Sequence, residues 1–190
     1  THPGVMHACG HDGHTAIGLA VAKMLNAHRK ELGGTLKFVF QPAEEGLGGA
    51  KMMVDEGVLQ NPAPDLSLAL HLWNEKPLGW VGVTDGPAMA ASDRFQVIIT
   101  GSGGHGASPY LTRDPIVAAA QVITALQSIP ARNVNALDSA IVSVTAVESG
   151  TAFNVIPDTA ILKGTIRTFT SSAREIVLRR FREVVEGVSG

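Results

Sequence analysis

The sequence predicts an α/β protein in two parts. A partial parallel sheet with helices on both faces occupies residues 1–88, and an α+β, ferredoxin-like domain follows over residues 89–190. Two element orders and one boundary predict it. Before residue 71 the apolar patterns read helix, strand, helix, strand, the alternation that builds parallel sheets. Beyond residue 92 they read strand, helix, strand, strand, helix, a split unit short of its final strand. Between the two, the small residues and Gly86-Pro87 of segment 84–91 read as a linker.

In the first part, residues 15–32 carry Ile17, Val21, Met24 and Leu25 at helical spacing, which predicts one buried face, and Gly33-Gly34 ends the run. Residues 36–40 are a short apolar run suited to a buried strand, 49–56 form a second helix closed by Gly57, and 66–70 form another buried strand. In the second part, residues 94–101 alternate as a strand and 115–129 are helical. Strands follow at 140–147 and 160–168, then a helix at 172–188 with Ser172 and Glu175 as a capping box. Thr1 opens the chain without a methionine and Gly190 closes it just after a helix, so the sequence reads as an excerpt of a longer chain.

Hydrophobic residues make up 45% of the 190 and charged residues 17%, a globular composition. The formal charge of -2, with no basic patch interleaved with aromatics, argues against nucleic acid as a partner. No run approaches the roughly 20 apolar residues that span a bilayer, so no membrane association is expected. One cysteine excludes an internal disulfide, and a thiol kept as a ligand fits a reducing, cytoplasmic setting.

That cysteine sits in the richest stretch of the chain. Met6-His7-Ala8-Cys9-Gly10-His11-Asp12-Gly13-His14 packs three imidazoles, a carboxylate and a thiol together, a donor set suited to zinc-like divalent ions. Cys9 and His11 are two apart and would share a side in an extended segment, with Asp12 placed to accept the free ring N–H of a ligating histidine. In parallel sheets the ligand crevice lies beyond the carboxyl ends of the strands. The strand ending at Phe40 runs into Gln41-Pro42-Ala43-Glu44-Glu45-Gly46, and the one ending at Leu70 into His71-Leu72-Trp73-Asn74. One carboxylate of the Glu44, Glu45 pair can bind an ion while the other takes a proton from water. Ligands from three strand ends suit two divalent ions, and a mixed sulfur, nitrogen and oxygen site leaves zinc, manganese, cobalt and nickel all open.

These blocks, together with Gly103-Gly104-His105-Gly106-Ala107-Ser108-Pro109, resemble the signatures of the peptidase M20 amidohydrolases. The likeness is to the branch of hippurate hydrolases, N-acyl-amino-acid amidohydrolases and auxin-conjugate hydrolases. It implies Cys9, His11, Glu45 and His71 as metal ligands, with Cys9 bridging, and Glu44 as general base. It further implies that the second part is a lid and dimerisation domain in a homodimer or higher homo-oligomer. His105 would reach into the partner's site to stabilise the oxyanion, and Asn154 and Arg167 would hold the substrate's carboxylate. The family takes one more histidine ligand from beyond the lid, after this chain ends. The expected reaction is hydrolysis of a small N-acyl amino acid to a carboxylic acid and a free amino acid. A dipeptidase or carboxypeptidase of the same type, or a truncated metal-binding dimerisation module without activity, stands as the alternative. The Gly-rich loop lacks a following Lys-Ser/Thr and an acidic partner, so it is not a nucleotide fingerprint.

Overall fold

Helices and β-sheet occur together, as an α/β sequence requires, but they are distributed differently from the expected pattern. The computed structural model describes residues 3–6 and 8–189 and divides into two units, Thr1–Val81 and Gly82–Gly190, a few residues ahead of the expected linker.

The first unit holds helix α1 (His11–Ala27) and helix α2 (Gly49–Asp55). Helix α1 starts earlier than its apolar spacing indicated, because Gly10 takes left-handed backbone (φ 79) and acts as N-cap, so the polar His11-Asp12 pair forms the first turn. Its expected buried face is only partly covered: Ile17 and Leu25 are half-buried, while Val21 and Met24 are exposed. The expected parallel strands at 36–40 and 66–70 are not formed among the described residues of this unit. A strand exists through ladder partners, and neither run has one, which leaves Phe38, Phe40, Leu66, Leu68 and Leu70 exposed. Apolarity alone marked these runs for burial and could not supply their neighbours.

The second unit contains β1 (Ala91–Thr100), β2 (Gly104–His105), helix α3 (Pro115–Leu126) and the short helix α4 (Ser128–Arg132). Then come β3 (Ala140–Ser149), β4 (Val155–Ile156), β5 (Thr159–Thr168) and helix α5 (Ser171–Ser189). The main sheet has the order β1-β5-β3, with both pairings antiparallel, and β2 pairs β4 in a separate ribbon. The first strand is thus parallel to β3 with β5 between them, the split βαβ arrangement that the element order predicts.

One face of this sheet is the core. Val97, Ile99, Val142, Ala160, Leu162 and Ile166 alternate inward from the strands and meet Val122 and Leu126 of α3, Ile129 of α4 and Val177 of α5. Each fully buried Leu, Ile or Val contributes about 1.5–3 kcal/mol of apolar transfer. The rings of Phe95 on β1 and Phe181 on α5 pack with centroids 4.6 Å apart.

Helix starts follow side-chain chemistry. Asp114 accepts the Ile116 N–H at 2.8 Å ahead of Pro115, capping α3. Helix α5 is capped two residues earlier than expected: Thr170 Oγ1 accepts the Ala173 N–H at 3.2 Å, in place of a Ser172 and Glu175 box. The hydroxyl that meets the third helical N–H is the one just outside the helix, and that residue is Thr170.

Candidate functional site

Three chain segments of the first unit bring their polar groups together. Cys9 Sγ lies 3.3 Å from His71 Nε2, and His11 Nε2 lies 3.5 Å from Glu44 Oε2 and 3.7 Å from Glu45 Oε1. The result is two sets, Cys9 with His11 and His71, and His11 with Glu44 and Glu45, each with ligand atoms within 4.8 Å of one another. His11 belongs to both. Two donors about 2.0–2.3 Å from one tetrahedral ion lie roughly 3.3–3.7 Å apart, so these spacings are those of ligand edges.

The backbone explains the convergence. Cys9 and His11 meet through the left-handed turn at Gly10 and the start of α1, and strand alternation plays no part. Ala43 also has positive φ (54°), backbone that costs a residue with a Cβ about 1–2 kcal/mol, and it directly precedes the two glutamates. Its carbonyl accepts the Gly49 N–H at 3.4 Å and so ties the glutamate loop to α2. Gly49 is buried there, and a Cβ on it would sit 1.8 Å from the Pro42 carbonyl oxygen.

His71 is oriented by its own neighbour. Its Nδ1 lies 2.6 Å from the Leu72 carbonyl, which assigns the proton to Nδ1 and leaves the Nε2 lone pair facing Cys9. Asp12 was expected to accept such a ring N–H. The acceptor is instead a main-chain carbonyl, because Asp12, one residue into α1, is exposed. His7, the third imidazole of the motif, lies outside the described residues.

Charge in the site is one-sided. Burial, then the Glu45 carboxylate and then that of Glu44, push the Cys9 thiol up from its ordinary value. A sulfur that must ionise beside two carboxylates is stabilised by a cation, and the sulfur, imidazole and carboxylate donors fit a divalent transition metal. His14, which sequence spacing did not single out, is also in the cluster. Its ring packs edge-on to His71 at 4.4 Å, and burial together with His71 and His11 pushes its pKa down, keeping it neutral.

In the second unit, the β2 and β4 ribbon sets His105 opposite Val155, and the Gly106 N–H donates to the Asn154 carbonyl at 2.8 Å. His105 and Asn154 are therefore close neighbours. His105 Nδ1 accepts the Ala107 N–H at 3.1 Å, so the neutral ring presents an Nε2–H donor outward. Arg167 is not with them. It lies near the far end of β5, eight residues beyond Thr159 and so roughly 25 Å along the strand. Its guanidinium is held by Thr165 Oγ1 and by the Ile166 carbonyl at 3.0 Å.

The described residues contain no helix long and apolar enough to cross a membrane. Among characterised proteins, the chain is 47% identical over 186 residues to an N-acetylcysteine deacetylase of Bacillus subtilis (strain 168), covering 98% of this chain and 48% of that protein. It is 45% identical over 189 residues to an N-acyl-L-amino acid amidohydrolase of Geobacillus stearothermophilus, covering 99% and 50%. The crystal structure of a dinuclear metal-binding peptidase of the M20 family from Bacillus subtilis superposes with a TM-score of 0.73 at 43% identity, over 97% of this chain and 45% of that one. The chain thus spans about half the length of the relatives it matches. The family model for peptidase family M20/M25/M40 matches residues 1–161, taking in Cys9, His11, the Glu44, Glu45 pair, His71 and His105, and with this agreement the chain belongs to that family.

Proposed function

We propose that the complete protein is a metal-dependent amidohydrolase that cleaves the amide of an N-acyl amino acid to a carboxylic acid and a free amino acid. The observation that carries this reading is the pair of ligand sets sharing His11, with a second carboxylate beside the one needed for coordination. Cys9, His11, Glu45 and His71 would hold two divalent ions, which would supply Lewis acidity toward a carbonyl and a lowered pKa for water. Glu44 takes the proton of the attacking water and passes it to the leaving nitrogen. His105 donates its outward Nε2–H to the developing oxyanion.

The same reading calls on a second copy of the chain. Asn154, just before β4, neighbours His105, whereas Arg167 lies near the far end of β5. Asn154 and His105 of one copy act with Arg167 of another, a guanidinium and an amide together suiting a carboxylate. The outward side of α3, where Ile116 and Val117 are exposed, supports pairing between copies through this unit.

Glu44→Gln in the protein from the complete gene tests the chemistry. The expected result is two metal ions retained and turnover on N-acetyl amino acids reduced by about 10²–10⁴-fold. Turnover equal to the parent's would remove Glu44 from the reaction. A substrate panel of acyl amino acids and dipeptides then decides the substrate class, with preference for dipeptides overturning the acyl-amino-acid assignment.

A further inference from the structure

We infer that His14 is a positioning residue that sets the orientation of His71 by gripping the Leu72 peptide. The inference rests on reading Cys9, His11 and His71 as ion ligands, and it adds a residue with no place in either ligand set.

The grip has two ends. The Leu72 N–H donates to His14 Nε2 at 2.9 Å. The Leu72 carbonyl accepts from His71 Nδ1 at 2.6 Å. One peptide residue is thus held by a helix side chain on its amide side and by the ligand ring on its carbonyl side. The ring of His14 also packs edge-on against that of His71, centroids 4.4 Å apart, so it limits rotation of the ligand ring as well.

The first turn of α1 is shaped for this contact. The His14 N–H bonds the Gly10 carbonyl at 3.1 Å, placing the ring one turn above Cys9 and His11. A Cβ on Gly13 would lie 2.6 Å from Leu72 Cδ1, and one on Gly10 would lie 3.5 Å from it. Bare backbone at these positions lets the Leu72 side chain lie against the turn while its amide reaches His14. Cys9 and His11 come from that turn and His71 precedes Leu72, so the His14 contact fixes one ligand group against the other.

An acceptor at this point is what the geometry needs, which separates a positioning role from a packing one. Gln can supply an oxygen near the His Nε2 position, whereas Phe fills the space without accepting. In metal-free protein, imidazole ¹⁵N shifts should report His14 with its proton on Nδ1, and the Leu72 amide should exchange slowly. In His14→Phe, the Leu72 amide should lose protection and zinc affinity, measured by chelator competition, should fall about 10–100-fold. Excess zinc should then restore kcat with KM near the parent value. His14→Gln should recover most of the zinc affinity and the amide protection.

Parent-like zinc affinity in His14→Phe, or a Gln variant no better than the Phe one, would overturn the inference. So would a rapidly exchanging Leu72 amide in the parent, a measurement that stands even where the Phe variant fails to fold. His71→Ala separates the two readings. If it binds zinc as the parent does, the ion site itself is wrongly assigned; if it loses zinc while His14→Phe does not, only the positioning role falls.

Discussion

Gly49→Ala probes how closely the glutamate loop is fitted to the helix behind it. The new methyl carbon would lie 1.8 Å from the Pro42 carbonyl oxygen and 2.8 Å from its carbon. A close carbon-to-oxygen contact is about 3.3 Å, so roughly 1.5 Å must be found by moving backbone, since no flexible side chain lies in the way. The segment obliged to move runs directly into Ala43, Glu44 and Glu45, whose carboxylates lie 3.5 and 3.7 Å from His11. A displacement of about 1 Å at a catalytic constellation costs on the order of 10²-fold in rate. Overpacking of this kind costs about 1–3 kcal/mol of stability. The assay is kcat/KM on an N-acetyl amino acid with metal content and melting temperature measured in parallel, and Gly34→Ala, where the methyl meets open space, serves as control. A Gly49→Ala protein with parental kcat/KM and metal content would refute the argument that α2 sets the position of the carboxylates.

His105→Ala should lower kcat by about 10²–10³-fold without loss of metal. If His105 serves the partner's site, mixing that variant with Glu44→Gln and letting subunits exchange should recover about a quarter of parental activity, because half the dimers are mixed and each has one complete site. No recovery after verified exchange would place His105 outside that role. The second unit offers a pH test. The bidentate bond from Arg174, at 2.8 and 2.6 Å, outweighs partial burial and holds the Asp93 carboxyl below the usual carboxylate range. A lowered folded-state value means the stabilisation is complete above about pH 4, the unfolded value, and fades as pH falls through the folded one. The melting-temperature advantage of parent over Asp93→Asn should therefore hold from pH 7 to about 5 and shrink toward pH 3; an advantage independent of pH would contradict the pairing.

The second unit was largely legible in sequence because its signals are local. Period-two alternation in β1 and β5, apolar spacing in α3 and the Asp114-Pro115 start each act within a few residues. The first unit was less so. Residues 36–40 and 66–70 have strand-like composition, yet strand pairing is a property of neighbours that composition does not encode. The candidate ligand residues stand out in sequence by type and grouping. How they meet does not: the left-handed turn at Gly10 and the positive φ of Ala43 replace the strand geometry that a two-residue spacing suggests. His14 carries no such signal in sequence, because its contacts depend on α1 beginning at His11, which puts it on the turn above Cys9 and His11, and on an amide 58 positions away.

The partners in the Cys9 and His71 contact are separated by 62 positions of chain. A cation gripped by both would act as a removable cross-link, denying the unfolded polypeptide the freedom that closing so long a loop takes away. Scarcity of the ion would then do more than empty the candidate site. It would raise the fraction of molecules open to proteases, so that the cell's stock of the protein follows its supply of metal.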